Sequence, residues 1–258
     1  MAVKFYDQPK DKRDRLVAEM LRNIQAGLVQ QEPRRLYAYA ASPDTHVRKW
    51  AYISLGRIYA EQDQLRKQIL STLSDMLANP NAKVRQTAIY AAGEIGDLPV
   101  VADLLERGLH DAHHSVRNGV IGALKVMGAK HPAPTLAFAR KHLKDQDPEV
   151  RRQVVHGIEL RGRTQPQEVL PLLREMQHET NTRVRKMVVH VLSQISYKPH
   201  CLETVIPELR RWDNQTLVKS AVVAILAVHQ EQKYCAHSYQ EAKTYIQKVL
   251  GFSDDAEE

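Results

Sequence analysis

The chain has 258 residues, of which 43% are apolar, 26% charged and only 6% aromatic. That balance excludes global disorder, and scarce aromatics beside abundant Ala, Val and Leu favour helices packed on helices over a β-sandwich. The net charge is +7, and because the last six residues, SDDAEE, hold four acids and no base, the remainder carries +11. Such an excess suits an anionic partner, whether acidic protein, nucleic acid or phospholipid head group; the alternative is a solvated surface rich in Lys and Arg.

The first stretch, MAVKFYDQPKDKRDR, lacks the apolar run of a secretory signal. No segment approaches the roughly 18 apolar residues of a membrane span, so a cytoplasmic protein is expected. Residues 1–32 are read as an N-terminal cap, with a charged amphipathic helix over 10–30. Terminal units of a repeat array need a polar outer face to stay soluble, which gives such a cap a structural reason.

From residue 33 to 237 one pattern returns. Val47-Arg48, Val84-Arg85, Val116-Arg117, Val150-Arg151, Val184-Arg185 and a degenerate Val218-Lys219 are separated by 37, 32, 34, 34 and 34 residues. Five positions before each Val stands Ser42, Asn79, Asp111, Asp145, Glu179 or Asp213, polar residues suited to a loop or a helix N-terminus. Positions 4, 7, 8 and 11 after the Val are apolar or small, as in Ala88, Ala91, Ala92 and Ile95, or Val188, Val191, Leu192 and Ile195. At 100° per residue they form one stripe, so each Val-Arg segment is a helix with a buried face. The segment before each loop supplies a partner helix, such as LRKQILSTLSDML with Leu65, Ile69, Leu73 and Leu77. Self-similarity at this period marks a solenoid of antiparallel helix pairs. Residues 238–258 close the chain with a capping helix, SYQEAKTYIQKVLGF, and the acidic tail.

Tetratricopeptide and ankyrin signatures are absent. The stretches SPDTHVRKWAYISLG, NPNAKVRQTAIYAAG, DAHHSVRNGVIGAL and DQDPEVRRQVVHGI resemble the HEAT family in its short, HEAT-like form, also found in phycobilisome-lyase-type proteins. The resemblance covers residues 33–230 and implies an all-α, right-handed superhelix of about six repeats with terminal capping helices. It is nearly silent on activity, since such arrays serve as scaffolds, adaptors, inhibitors and occasionally enzymes. It also implies a structural role for the recurrent cation: Arg48, Arg85, Arg117, Arg151 and Arg185 pair with loop acids such as Asp111 and Asp145 of the same or a neighbouring repeat.

In such solenoids the second helix lines the concave side, which makes positions 2, 6, 9 and 13 after the Val the working row. That row is basic and carries His and an exposed Tyr. With its neighbour Trp50 it nominates Lys49, Trp50, Gln86, Tyr90, Lys125, Arg152, His156, Lys186 and His190 as partner-binding residues. The expected function is a non-catalytic protein-protein interaction scaffold holding an acidic segment. The alternative is phosphate-backbone binding to nucleic acid.

Other chemistry is weaker. His110, Asp111, His113 and His114 fall in an inter-helix loop without the helical His pair or Cys set of a zinc site, so no metal is expected there. His156 and His190, one repeat apart, are expected about 10 Å apart, too far to share an ion. Cys201 and Cys235, also one repeat apart, exceed disulfide reach and are read as free. No phosphate loop, nucleophile elbow or paired catalytic carboxylate stands in a convincing context, so neither cofactor nor catalytic residue is expected. The HEAT-like alkylpurine DNA glycosylases pair a basic concave surface with Trp and Asp; here Trp50 has no concave Asp beside it, and no catalytic role is carried over. The partner, the curvature and the oligomeric state are not written in the sequence.

Overall fold

In the computed structural model residues 4–251 are described, so the acidic tail lies outside the described residues. The described chain is helical with no strand. It divides into two compact units, Met1–His131 and Pro132–Glu258.

In the first unit α1 (Lys10–Val29) precedes three helix pairs: α2 (Arg34–Ala40) with α3 (Thr45–Glu61), α4 (Arg66–Leu77) with α5 (Ala82–Ile95), and α6 (Leu98–Leu109) with α7 (His114–Lys130). In the second, α8 (Pro132–His142) pairs with α9 (Pro148–Gly157) and its short continuation α10 (Glu159–Gly162). Then α11 (Pro166–Glu175) pairs with α12 (Thr182–Gln194), α13 (Leu202–Leu209) with α14 (Gln215–Glu231), and α15 (Tyr239–Leu250) closes the unit. The predicted terminal helices correspond to α1 and α15. The predicted stripes are buried: Val84, Ala88, Ala91 and Ala92 on α5, and Val188, Val191 and Leu192 on α12, are at most 2% exposed.

Five of the six second helices begin the same way, while α14 is capped by Asn214, four residues before Val218. Three residues before the Val, an Asp, Asn or His caps the helix: Asp44 accepts from His46 N, Asn81 from Lys83 N, His113 from Ser115 N, Asp147 from Glu149 N and Asn181 from Arg183 N. Capping of this kind satisfies N–H groups that the first helical turn leaves without partners. The polar residue two positions earlier holds the cap itself. Asn79 Oδ1, Asp111 Oδ1, Asp145 Oδ1 and Glu179 Oε1 accept from the N–H of residues 81, 113, 147 and 181 at 2.8–2.9 Å.

Two glycines are required by geometry. Gly96 ends α5 with φ of +74°, a left-handed C-cap. Gly93 lets α5 approach α7 closely, since a Cβ there would stand 2.6 Å from Ala123 Cα. The fourth second helix departs from the continuous one expected: it breaks at Gly157–Ile158, between α9 and α10.

Candidate functional site

The Val-Arg arginines are committed to the loops to different degrees. Arg48, Arg85, Arg117 and Arg151 each donate through Nη1 to the carbonyls six and five residues earlier in their own loop, at 2.6–3.2 Å. Arg85 also grips Asp111 of the next loop with two bonds, Nε at 2.7 Å and Nη2 at 3.0 Å. Arg151 grips Glu179 likewise, at 2.7 and 2.9 Å. For Asp111, burial would raise the pKa, but the Arg85 guanidinium and the His113 N–H outweigh it and hold the carboxyl below its usual range. For Glu179 the Arg151 hydrogen bonds are the largest influence, and they too hold it low. For Arg48 the equivalent place in the next loop holds Asn79 rather than an acid. Arg48 and Arg185 form no ion pair among the described residues.

The nominated binding row does not lie on one exposed face. Lys49 and Lys186 are exposed, and Trp50, Gln86, Tyr90 and Lys125 are half-buried. Position 9 points into helix–helix contacts: Gly56 would place a Cβ 2.6 Å from Glu94 Cβ, Gly93 packs on Ala123, and Glu159 is buried. Tyr90, expected exposed, stacks on Tyr52 with centroids 5.0 Å apart and lies over Gly122. Burial, then the neighbouring Tyr90 and Glu94, push the Tyr52 phenol up to about 12. Gln86 is spent on the Ser115 carbonyl at 2.9 Å. Arg152 is clamped by Glu149 at 2.9 and 2.7 Å and is not an available cation. Except for Arg152, which is taken by a carboxylate one turn back on its own helix, these departures share a physical reason: second helices of neighbouring repeats pack side by side, so residues on their flanks meet each other rather than solvent.

What remains open are clefts between the first turns of adjacent second helices. One, about 180 Å³ between α3 and α5, is lined by Thr45, Arg48, Tyr52, Gln86, Thr87 and Tyr90. The other, about 640 Å³ between α12 and α14, has Arg185, Lys186, Thr182, Thr216 and Ser220 as its cations and hydroxyls, over Val189 and Leu217. Both use the Thr two positions before the Val and the Arg one after it. Sequence reasoning set those two arginines aside as structural; the signal that singles out Arg48 was the neutral Asn79 in the next loop.

His156 and His190 are not 10 Å apart. Their ring centroids are 5.8 Å apart, edge to face, and Nε2 of each lies beside Glu159 Oε2, at 3.1 and 3.5 Å. Packed helix axes stand roughly 8–10 Å apart, but side chains on facing flanks reach across that gap. Cys201 and Cys235 are free, Cys201 buried, and burial raises both thiols. His113 and His114 stack at the start of α7, where His113 serves as the cap. Trp212 is 1% exposed and belongs to the core. No helix among the described residues is long and apolar enough to cross a membrane.

Comparison with known proteins agrees with this architecture. The structure resembles AlkD2 from Streptococcus mutans, at 16% identity and a TM-score of 0.55 over 75% of this chain and 97% of that one. It also resembles smu.31 from Streptococcus mutans UA159, at 18% identity, a TM-score of 0.48, and 80% and 96% coverage. The CpcE–CpcF complex of phycocyanin lyase from Nostoc sp. PCC7120 follows at 15% identity and a TM-score of 0.35 over 84% and 94% of the two chains. At these identities the likeness concerns the fold alone. No curated protein matches the sequence significantly. HEAT repeats match at residues 33–125 and 136–227, and with most of its length so covered the chain belongs to the HEAT-repeat family.

Proposed function

We propose that the chain is a non-catalytic binding scaffold that holds an acidic protein segment in the clefts between its second helices. The observation that supports this most is the α12–α14 cleft, where Arg185 and Lys186 stand without a carboxylate partner among the described residues, beside three hydroxyl side chains and an apolar floor. A carboxylate side chain there gains charge-assisted hydrogen bonds, while its aliphatic stem covers Val189 and Leu217. The partner read as nucleic acid from composition alone is less well served. Four arginines on the second helices and their neighbours, Arg85, Arg151, Arg152 and Arg161, are each held bidentately by a carboxylate and are not available to a phosphate. A phosphate backbone requires a continuous run of available cations.

The test is selectivity. Fluorescence anisotropy of a labelled Glu-rich peptide of about 15 residues is compared with a DNA duplex of about 15 base pairs, both at about 0.15 M salt. The scaffold reading expects the peptide to bind at least about tenfold more tightly. Preference for the duplex, with a steep fall as salt rises, would establish the nucleic-acid reading instead.

A further inference from the structure

Outside the clefts, and independent of the function proposed for them, one cluster in the second unit has the composition and spacing of a ligand set. Glu159 opens α10 immediately after the break at Gly157–Ile158. Its side chain is only 3% exposed, with Oε1 held by Arg163 Nη2 at 2.6 Å. Oε2 is left facing two imidazoles, His156 Nε2 at 3.1 Å and His190 Nε2 at 3.5 Å.

We propose that His156, Glu159 and His190 bind a divalent transition-metal ion of the zinc type. With Zn–N near 2.0–2.1 Å and Zn–O near 2.0–2.2 Å, the ligand atoms of a tetrahedral site stand about 3.3–3.5 Å apart. The two His–Glu edges already fall close to that range. All three ligating atoms lie within 4.8 Å of one another. The remaining His–His edge closes by rotation of His190, the member with a side chain 46% exposed.

Two further features point the same way, the Arg163 support and the donor set. Arg163 fixes the carboxylate so that one oxygen faces the imidazoles, the kind of support that orients a metal ligand. Two imidazoles and one carboxylate favour zinc, nickel or copper over magnesium or calcium, which prefer all-oxygen sets. Against these stands His156 Nδ1, which would carry the ring proton when Nε2 ligates and is buried without a hydrogen-bond partner. His190 leaves the site open to solvent, and three protein ligands leave a fourth position for water or an anion. Arg163 already offsets the Glu159 charge, which sets the expected affinity on the order of micromolar rather than that of a closed structural site.

The test is calorimetric titration of the whole chain with ZnCl₂ at pH about 7.5, joined to the visible spectrum of the Co²⁺ complex. One ion per chain is expected, with d–d bands and no thiolate charge-transfer band, which sets Cys201 and Cys235 aside. His190→Ala and His156→Ala each weaken binding by about 100-fold or more, while His113→Ala in the stacked pair at the start of α7 leaves it unchanged. Because His190 is exposed, that variant keeps the wild-type circular dichroism. Absence of uptake at about 100 μM Zn²⁺, wild-type affinity in both His190→Ala and His156→Ala, or loss in His113→Ala would each overturn the proposal, and would make the cluster a proton-sharing ion pair.

Discussion

Asp111 serves three partners from one loop. Its carboxylate takes both donors of Arg85, one of its oxygens also takes the His113 N–H, and its carbonyl takes Arg117 Nη1. Side chains of the Arg85–Asp111 pair are 15% and 11% exposed, so solvent screens the pair less than a surface ion pair. Asp111→Asn keeps the shape and removes the charge; we expect it to cost about 1.5–3 kcal/mol in urea unfolding, the range for hydrogen bonds to a charged group. The pH dependence has a definite sign. Asp111 and Glu179 titrate lower in the folded chain than when unfolded. Their contribution is therefore complete above the ordinary carboxylate range near pH 4 and is lost as pH falls through the lower folded values. Thermal unfolding followed from pH 6 downward should show a shallower acid limb in the Asp111→Asn, Glu179→Gln double variant than in the parent. An unchanged limb would mean that these pairs contribute nothing to acid stability.

The helix pairs were legible because the buried stripe and the loop chemistry both recur with the Val-Arg step. Val84, Ala88, Ala91 and Ala92 announce one face of α5 from their spacing alone, and that face is buried. The cap residue three before the Val was legible too, since Asp44, Asn81, Asp147 and Asn181 are all good caps, although the polar residue two positions earlier drew the reading first. What the spacing hid were contacts between flanks of neighbouring helices. A single-helix projection treats Gly93 and Tyr90 as outward-facing, whereas Ala123 and Tyr52 on neighbouring helices decide where they go. The same blindness separated His156 from His190. Gly93 offers a direct check on helix approach, because the atom nearest an added Cβ is Ala123 Cα, part of the backbone and unable to swing away. Gly93→Ala gains helix propensity of about 1 kcal/mol yet should still destabilise by about 1–2 kcal/mol on balance in urea unfolding, through overpacking. A stabilised variant would mean that α5 and α7 are not so close.

At the scale of the whole molecule, the +7 net charge does not say where a partner binds, because internal ion pairs leave that total unchanged while deciding which cations stay available. Arginines that write the repeat into the sequence are largely consumed in holding its loops, and among the described cations without a carboxylate partner are Lys49 on α3 and Arg185 and Lys186 beside the α12–α14 cleft. A binding scaffold of this kind draws specificity from where the internal pairing stops rather than from total charge. The central claim is that the α12–α14 cleft holds an anionic segment, and it is tested most directly by charge reversal in Lys186→Glu, measured by anisotropy with the Glu-rich peptide. Lys186 is exposed, so the fold should be undisturbed, and the account predicts binding weakened by about tenfold or more, equivalent to about 1.4 kcal/mol. Affinity equal to that of the wild type would contradict it.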